Sequence, residues 1–472
     1  MLNAISARYC ARRSLSGLRS YDRVRDLQSP RTAGGQRTEP KRVSIDEAVA
    51  CVKSGRDYVY LHHAASTPVD LLNALFKNAK AKGLSGIRTT HALLLGDIPF
   101  SRDPSVYDHI RPVCYFVSTP IRAAVNAGKA DYIPIFLNET SRLYDEKQLP
   151  VDVAFLNLSP PDSHGLCSLG VSVDMSSAAA RNAKVIVATF NQTQPRTFGD
   201  SVIHVSQLDY VVPETQTPIC SVNPPPISDA ERKIGRLIAE KLVPNEATLQ
   251  LGIGSLPDAV LSALTDHRHL GVHTEMISDG VVDLIERGNL TNAKKTVYPG
   301  KSVLAFAIGS RRFYDIMHDC PNFLFGSVGF TNDCGVIARQ HRMTSINAAL
   351  EVDLCGAVAA DTIGPKFFSG FGGQVDFVYG SATALDGQGK SIIALQSRTE
   401  KGEPKIVPFL KTGSSVVTTR AHVRYIVTEY GIASLWGKSV RERANELIKI
   451  AHPDDRESLE KAAFERFGSG SI

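Results

Sequence analysis

Short runs of valine, isoleucine and leucine alternate along the chain with longer amphipathic stretches. The apolar runs predict strands at 58–61, 91–95, 151–156, 185–189, 247–251, 301–307 and 414–418. Strands that alternate with helices are typical of parallel sheets with helices packed on their faces. The expected fold class is therefore α/β.

A proline-rich stretch at 213–226 interrupts this alternation and precedes an amphipathic run at 229–242. Prolines in such numbers are typical of a linker, so we place a domain boundary there. We expect two open, mainly parallel-sheet domains, an N-terminal one at 39–222 and a C-terminal one at 223–472.

The two predicted domains also resemble each other, because residues 58–75 align without gaps on 247–264. Both segments read as a strand, a turn of small residues and a helix. Ser66 and Ser255 stand where a helix N-cap belongs, and Pro68 and Pro257 would fall in the first turn. Any α/β chain repeats such units, but we favour two copies of a similar domain.

Residues 1–38 have a different composition, rich in arginine and serine and free of acidic residues up to Asp22. This pattern is typical of a mitochondrial transit peptide, and the alternative is a disordered terminus of chance composition. We expect the mature protein in the mitochondrial matrix. The formal net charge of the chain is +5, and this segment accounts for all of it, with eight arginines against two acidic residues. The rest of the chain is close to neutral, which argues against a nucleic-acid partner.

The eight cysteines form no C-x-x-C pair, and no histidine cluster has metal-ligand spacing. The sequence therefore predicts neither a metal site nor a disulfide framework. No apolar run reaches the roughly 18 residues that a membrane span requires. We expect no membrane partner.

Three segments combine residues that could carry chemistry. Gly252 and Gly254 follow a predicted strand and precede a predicted helix. This arrangement presents backbone N–H groups to an anionic or carbonyl oxygen, and a simple tight turn is the alternative. Glu275 is a single carboxylate in an apolar run at the same expected sheet edge, and is a candidate nucleophile or base. A strand-end glutamate in a salt bridge is the alternative.

The third segment, 369–377, has three glycines within four positions, which lets the main chain pass close to a ligand. Its alternative is a hairpin turn. The polar, turn-rich segment 158–174 also has the character of a functional loop.

Taken together, these motifs resemble the acetyl-CoA hydrolase/transferase family, which includes 4-hydroxybutyrate and acetate:succinate CoA-transferases. The matching stretches are His-His-Ala-Ala-Ser-Thr-Pro at 62–68, Ala-Asp-Tyr-Ile-Pro-Ile-Phe at 130–136, Ser-Pro-Pro-Asp-Ser-His-Gly at 159–165, Gly-Ile-Gly at 252–254, His-Thr-Glu at 273–275, Gly-Phe-Gly-Gly-Gln-Val-Asp-Phe at 370–377 and Val-Thr-Glu-Tyr-Gly at 427–431. The His62-His63 pair departs from the His-Gly expected in this family.

The resemblance implies an active site between the two domains, with Glu275 acylated first and then carrying coenzyme A as a thioester. The residues that it places against coenzyme A or the acyl carbonyl are Gln250, Leu251, Gly252, Ile253, Gly254, Gly370, Gly372 and Gly373. Each step of this chemistry passes through an oxyanion, for which backbone N–H groups at Gly372 and Gly373 are suitable donors. Lys401 and Arg398 are candidate partners for the nucleotide end of coenzyme A, with ordinary solvated charge as the alternative.

The expected function is a CoA-transferase that moves coenzyme A from acetyl-CoA to a small carboxylic acid such as succinate. Coenzyme A is then both substrate and covalent intermediate, and no permanently bound cofactor is required. Hydrolysis on the same site stays open, as do a sugar-phosphate isomerase, a non-catalytic sensor of similar fold and assembly into a homo-oligomer.

Overall fold

The computed structural model describes residues 25–33, 36–55, 57–215, 217–223 and 226–468. Residues 1–24, which include most of the predicted transit segment, lie outside the described part. In the described part, no helix is long and apolar enough to span a membrane, and no three metal-ligating side chains cluster. The cysteines described there are all free thiols.

An eight-stranded sheet forms the centre of the first half, and its neighbouring strands all run parallel. Across the sheet, the strands are Lys41–Arg42, Tyr210–Val212, Val185–Phe190, Val153–Leu158, Tyr58–Leu61, Ile87–His91, Ile110–Cys114 and Asp131–Tyr132. The helices of this half are Ile45–Val49, Val69–Lys82, Pro99–Arg102, Thr119–Asn126, Thr140–Asp145 and Ser176–Asn182. The inner strands are buried almost throughout, as in parallel sheets covered on both faces.

A six-stranded sheet forms the centre of the second half, and only its last strand is antiparallel. Its strands are Gly271–Val272, Thr248–Leu251, Met343–Ala348, Lys390–Ala394, Tyr425–Thr428 and Gly431–Ser434. The helices are Asp229–Lys241, Ser255–Ser262, Val282–Glu286, Arg311–Met317, Val328–Thr331, Cys334–Ala338, Gln374–Ala382, Val440–Lys449 and Pro453–Phe467. The expected α/β fold with two mainly parallel sheets is confirmed.

Backbone hydrogen bonds join the two halves. The strand Phe198–Gly199 of the first half pairs with Phe323–Phe325, which pairs in turn with Ser302–Leu304. The N–H of Val173 donates to the carbonyl of Ala305 at 3.0 Å. One hydrophobic core contains residues of both halves.

The other short strands are Thr32–Ala33, Gln36–Arg37, Leu166–Ser168, Val202–His204, Met276–Ile277, Phe306–Ala307, Glu351–Asp353, Val358–Ala359, Thr362–Ile363, Lys366–Phe367 and Ile406–Val407.

Residues 25–33 and 36–42 pack against the N-terminal sheet. Leu27 is buried, and the guanidinium of Arg25 forms an ion pair with Asp209 at 2.8 Å. The strand Lys41–Arg42 extends the edge of the sheet beside Tyr210–Val212. Much of the segment between Arg25 and the first helix therefore belongs to the fold.

The predicted helix caps are wrong in both repeated units. Pro68 and Gly254 occupy the N-cap positions instead of Ser66 and Ser255. The hydroxyl of Ser66 accepts a hydrogen bond from Gln194, so the chain makes a further turn before its helix begins. Ser255 is already helical, and its hydroxyl donates to Glu231.

The strand predicted at 414–418 is also wrong, because this segment has irregular structure with one isolated bridge at Thr418. The hydroxyl of Ser415 donates to Asp361, and its N–H donates to Thr362 Oγ1 at 2.7 Å. Side-chain hydrogen bonds of this kind compete with the ladder of a sheet.

Candidate active site

Glu275 lies between the short strands Gly271–Val272 and Met276–Ile277, next to the carboxyl end of Thr248–Leu251. Its carbonyl oxygen accepts hydrogen bonds from the N–H groups of Ala305 at 2.8 Å and Phe306 at 3.1 Å. These two hydrogen bonds fix the main chain at Glu275. The carboxylate is partly buried and points towards the loop at 370–373.

The glycine loop packs against this carboxylate so closely that a side chain has no room. A Cβ atom added at Gly373 would lie 2.0 Å from Glu275 Oε2, and at Gly372 the φ angle is +55°. The carbonyl of Gly372 accepts the N–H of Leu137 at 3.2 Å. Because the peptide is planar and trans, the N–H of Gly373 points the opposite way, where it donates to Glu275.

Gly370 has a different role in the same loop. A Cβ atom there would lie 2.9 Å from the carbonyl oxygen of Tyr115 and 3.0 Å from the Cα of Phe116. The glycine therefore permits close packing of the loop on the first half of the protein, which brings Gly372 and Gly373 up to the carboxylate.

Asn332 and Asp376 complete the polar surroundings of Glu275. The Nδ2 of Asn332 donates to Glu275 Oε2 at 3.1 Å and to Asp376 Oδ2 at 3.2 Å. Asp376, in the first turn of the helix Gln374–Ala382, also accepts the N–H of Asn138 at 3.3 Å. Residues from both halves therefore surround the carboxylate.

Burial raises the pKa of Glu275 to about 7, although hydrogen bonds from Asn332 and Gly373 act in the opposite direction. Burial also raises the pKa of Asp376 to about 8, and the charge of Glu275 adds to this shift. A carboxylate that ionises near neutral pH is suited to act as a nucleophile or a base.

A cavity of about 130 Å³ opens beside Glu275, and residues of both halves line it. Its lining consists of His63, Ala92, Leu93, Phe116, Leu137, Asp174, Met175, Ile253, Glu275, Met276, Phe306 and Gly372. Most of these side chains are apolar. Larger clefts, such as one of about 550 Å³ near Asp283, contain none of the predicted site residues.

The polar wall of the cavity is a buried pair. His63 Nε2 lies 2.6 Å from Asp174 Oδ2, although the angle is outside that of a regular hydrogen bond. Burial would raise the pKa of Asp174, but His63 and the hydroxyl of Ser172 hold this pKa below its usual value. Asp174 is therefore an anion that holds the imidazole ring in place.

The adjacent His62 has a structural role. Its Nε2 lies 2.6 Å from the carbonyl of Ser172, and its Nδ1 accepts the N–H of Asn157 at 3.2 Å. Burial lowers its pKa to about 4, so the ring is neutral. The departure at 62–63 from the expected His-Gly thus places one histidine in the core and one in the cavity.

The residues predicted to contact coenzyme A are distributed around the site. Ile253 lines the cavity, and Gly254 caps the helix Ser255–Ser262. Upstream of the turn at Gly252, Gln250 and Leu251 end the preceding strand, and the Gln250 side chain pairs with Asn347 at 3.0 Å.

The two predicted cationic partners lie in a turn outside the cavity lining. Arg398 forms ion pairs with Asp455 at 2.6 Å and Asp454 at 3.4 Å, so its charge is already compensated. Lys401 is exposed, and its contact with coenzyme A stays a prediction.

Comparison with known proteins identifies the chain. The acetyl-CoA hydrolase/transferase N-terminal domain matches residues 30–223, and the C-terminal domain of the same name matches 309–463. The chain belongs to the acetyl-CoA hydrolase/transferase family. It is thus an enzyme of coenzyme A thioester chemistry, and the resemblance inferred from the motifs is confirmed.

Several members of the family are similar over most of their length. A succinyl-CoA:acetate/propanoyl-CoA:succinate CoA transferase of Fasciola hepatica is 49% identical, over 89% of this chain and 87% of its own. A 4-hydroxybutyrate coenzyme A transferase of Clostridium kluyveri is 44% identical, over 90% and 98% respectively. The crystal structure of RipA from Yersinia pestis has a TM-score of 0.84 at 34% identity and covers 91% of this chain and 98% of that one.

Sequence reasoning did not single out Asn332, Asp376 and the pair His63–Asp174. Asp376 and His63 lie inside motifs that carry the family resemblance. The sequence therefore marked both positions but indicated no role for either side chain. Asn332 lies outside those motifs, and only the folded structure brings it to Glu275.

Proposed function

We propose that this family member is a CoA-transferase that uses Glu275 to move coenzyme A from acetyl-CoA to succinate. The observation that carries the proposal is a partly buried carboxylate that ionises near neutral pH, held between an amide side chain and a glycine N–H at the mouth of a small cavity. The succinate and acetate in the printed name of the Fasciola relative support this choice of substrates.

The proposed reaction has two halves. An oxygen of Glu275 attacks the acyl carbonyl, the C–S bond breaks, and an acyl-glutamyl anhydride and a thiolate form. The thiolate then attacks the glutamyl carbonyl and displaces acetate, which leaves a glutamyl thioester. Succinate reverses both steps and departs as succinyl-CoA.

Each attack forms a tetrahedral oxyanion, for which the N–H groups of Gly372 and Gly373 are the proposed donors. Removal of one such donor costs about 3–4 kcal/mol in other acyl-transfer enzymes. The N–H of Gly373 already donates to the carboxylate, so a short movement of the reacting group brings the new oxyanion to the same donor.

The size and lining of the cavity favour a short acyl group. Its volume of about 130 Å³ and its mostly apolar walls suit acetyl and four-carbon chains. His63, with its ring held by Asp174, supplies a polar group for the distal carboxylate of succinate.

Hydrolysis is the second candidate, since water can also attack a glutamyl thioester. The small, mostly apolar cavity favours transfer, because exclusion of water protects a reactive intermediate. The two reactions are separated by following free thiol and succinyl-CoA from acetyl-CoA with and without succinate. Fast thiol release without succinate would establish a hydrolase instead.

The nucleophile is tested by mass spectrometry of the protein after mixing with acetyl-CoA. We expect a coenzyme A adduct on a peptide containing Glu275, and none in Glu275→Ala. Glu351→Gln is the matched control, since Glu351 is another buried glutamate outside the cavity lining. An adduct-free wild type with full transferase activity would refute the glutamyl thioester.

The proposed location is the mitochondrial matrix, supported by the composition of residues 1–38. A fluorescent protein fused behind residues 1–38 should accumulate in mitochondria. Substitution of Arg8, Arg12 and Arg13 by glutamine should leave it in the cytosol, and unchanged import would contradict the assignment.

A further inference from the structure

The second carboxyl group beside Glu275 has no role in the reaction described above. Asp376 is 2% exposed and shares the amide nitrogen of Asn332 with Glu275. Since that nitrogen lies 3.1 Å from one carboxylate oxygen and 3.2 Å from the other, the two acids lie within about two hydrogen-bond lengths of each other.

In the described part of the chain, no lysine or arginine neutralises this pair of acids. Among the residues that the structure describes, neither Glu275 nor Asp376 forms a salt bridge with lysine or arginine. The titratable groups that face the pair from the packed elements are His63, Asp174, Glu139 and Cys334. The hydrogen-bond donors to Asp376 are neutral, namely the Asn332 amide and the Asn138 N–H.

Two buried carboxylates with neutral donors rarely ionise together, because each charge opposes the other. One proton therefore stays on the pair near neutral pH. Asp376 is the more deeply buried acid, and the charge of Glu275 raises its pKa further, to about 8. The proton rests on Asp376 while Glu275 is ionised.

We propose that Asp376 is a positioning residue that holds a proton while Glu275 is a carboxylate and releases it when Glu275 becomes a thioester. The inference rests on the proposed function, because only acylation removes the negative charge at Glu275. An ionised Asp376 then keeps the Asn332 amide in place while the glutamyl group is neutral.

Charge and atoms balance in this sequence. The carboxylate of Glu275 and acetyl-CoA become a neutral glutamyl thioester and free acetate, so the site loses one negative charge. Loss of a proton from Asp376 restores that charge, and the proton passes to solvent. Attack by succinate regenerates the Glu275 carboxylate, and Asp376 takes up a proton again.

The resting protein provides a test without turnover. Infrared spectroscopy should show the carbonyl stretch of protonated carboxyl groups at neutral pH, and the part of this band that belongs to Asp376 should be missing in Asp376→Asn. In Glu275→Gln, where the neighbour is neutral as in the thioester, the midpoint for loss of this band should fall by about one pH unit or more. An unchanged midpoint would overturn the proposal, whether or not the glutamyl thioester exists.

The second test is proton release during a single turnover. Wild-type protein mixed with acetyl-CoA in weak buffer near pH 7 should release protons in step with adduct formation, as reported by an indicator dye. Asp376→Asn should form the adduct with a clearly smaller release, limited to the fraction of Glu275 that is protonated before the reaction. Asp258→Asn, a buried aspartate with a raised pKa that contacts Ser278 and not Glu275, should behave as wild type.

The outcomes separate the two hypotheses. Release from Asp376→Asn equal to that of wild type would overturn the role of Asp376 while leaving the thioester intact. Absence of any adduct in wild type, with the infrared shift of Glu275→Gln still present, would reject the proposed mechanism and retain the coupled pair.

Discussion

At the scale of single residues, the site depends on the absence of a side chain at Gly373. A Cβ atom there would lie 2.0 Å from Glu275 Oε2 and 2.2 Å from Asn332 Nδ2. Real Cβ atoms do not approach so closely, so the carboxylate and the amide would have to move together.

We therefore expect Gly373→Ala to lower kcat by about 100-fold, because misplacement of a reacting group by about 1 Å has costs of this order. Thermal stability should change little by comparison. Gly329→Ala is the control, since its Cβ would meet only the Asn138 carbonyl at 3.9 Å. A Gly373→Ala protein that melts early but turns over normally while folded would make the loop a structural turn.

The raised pKa of Glu275 also predicts an effect on stability. Burial raises this pKa to about 7, so the folded state resists ionisation of the group as pH increases through that value. Glu275→Gln should have a higher Tm than wild type at pH 8.5, and the difference should vanish towards pH 4.5, where the carboxyl group is largely protonated. Glu240→Gln, at an exposed site, should show no such trend in calorimetry.

At the scale of elements, residues 25–33 and 36–42 contribute to the fold although the sequence assigns most of them to a leader. Removal of 1–24 keeps the contacts of Leu27 and Arg25, whereas removal of 1–42 also deletes the edge strand Lys41–Arg42. We expect the shorter truncation to melt like the full chain and the longer one to melt several degrees lower. Equal melting temperatures would show that this segment adds no stability.

The elements also show which parts of the structure the sequence could predict. Strands such as Tyr58–Leu61 and Val185–Phe190 were predictable, because a buried parallel strand is a short, continuous apolar run. The segment 414–418 has a similar composition, but the hydroxyl of Ser415 bonds to Asp361 and Thr362. Those partners are distant in sequence, so no local pattern contains them.

The same limit applies to the site. A lone carboxylate beside two glycine-rich segments was visible in the sequence, since sheet edges gather such groups. The position of Asn332 depends on the packing of the helix Val328–Thr331, and the nearby His273 accounts for part of it. The imidazole Nε2 of His273 lies 2.8 Å from the carbonyl of Thr331 and so fixes the chain just before the amide.

At the scale of the whole molecule, histidines from both halves enter the core without charge. Burial lowers the pKa of His62 and His91 to about 4 and that of His273 to about 3. Each contributes stability that is present above the unfolded pKa of about 6.5 and is lost as pH falls below it. The raised pKa values of Glu275 and Asp376 act in the opposite direction over the same range.

We expect His62→Gln to weaken this acid sensitivity, because glutamine keeps a donor for the Ser172 carbonyl and does not titrate. Between pH 6.5 and 5, the free energy of unfolding should fall less steeply with pH in this variant than in wild type. The two slopes should differ by about 1.4 kcal/mol per pH unit, which corresponds to one proton. His164→Gln, at an exposed site, should follow wild type in urea titrations. Identical slopes for all three proteins would contradict a neutral His62.

The strand pairing between Phe198–Gly199 and Phe323–Phe325 joins residues on either side of the linker at 213–226. The shared core and these backbone hydrogen bonds do not depend on the linker. We therefore expect the two halves to stay associated without a covalent connection. A gene split at the exposed residues 221–223 should yield two polypeptides that co-purify and complement each other as an active enzyme. Neither polypeptide should remain soluble alone, because each would expose its side of the common core to water.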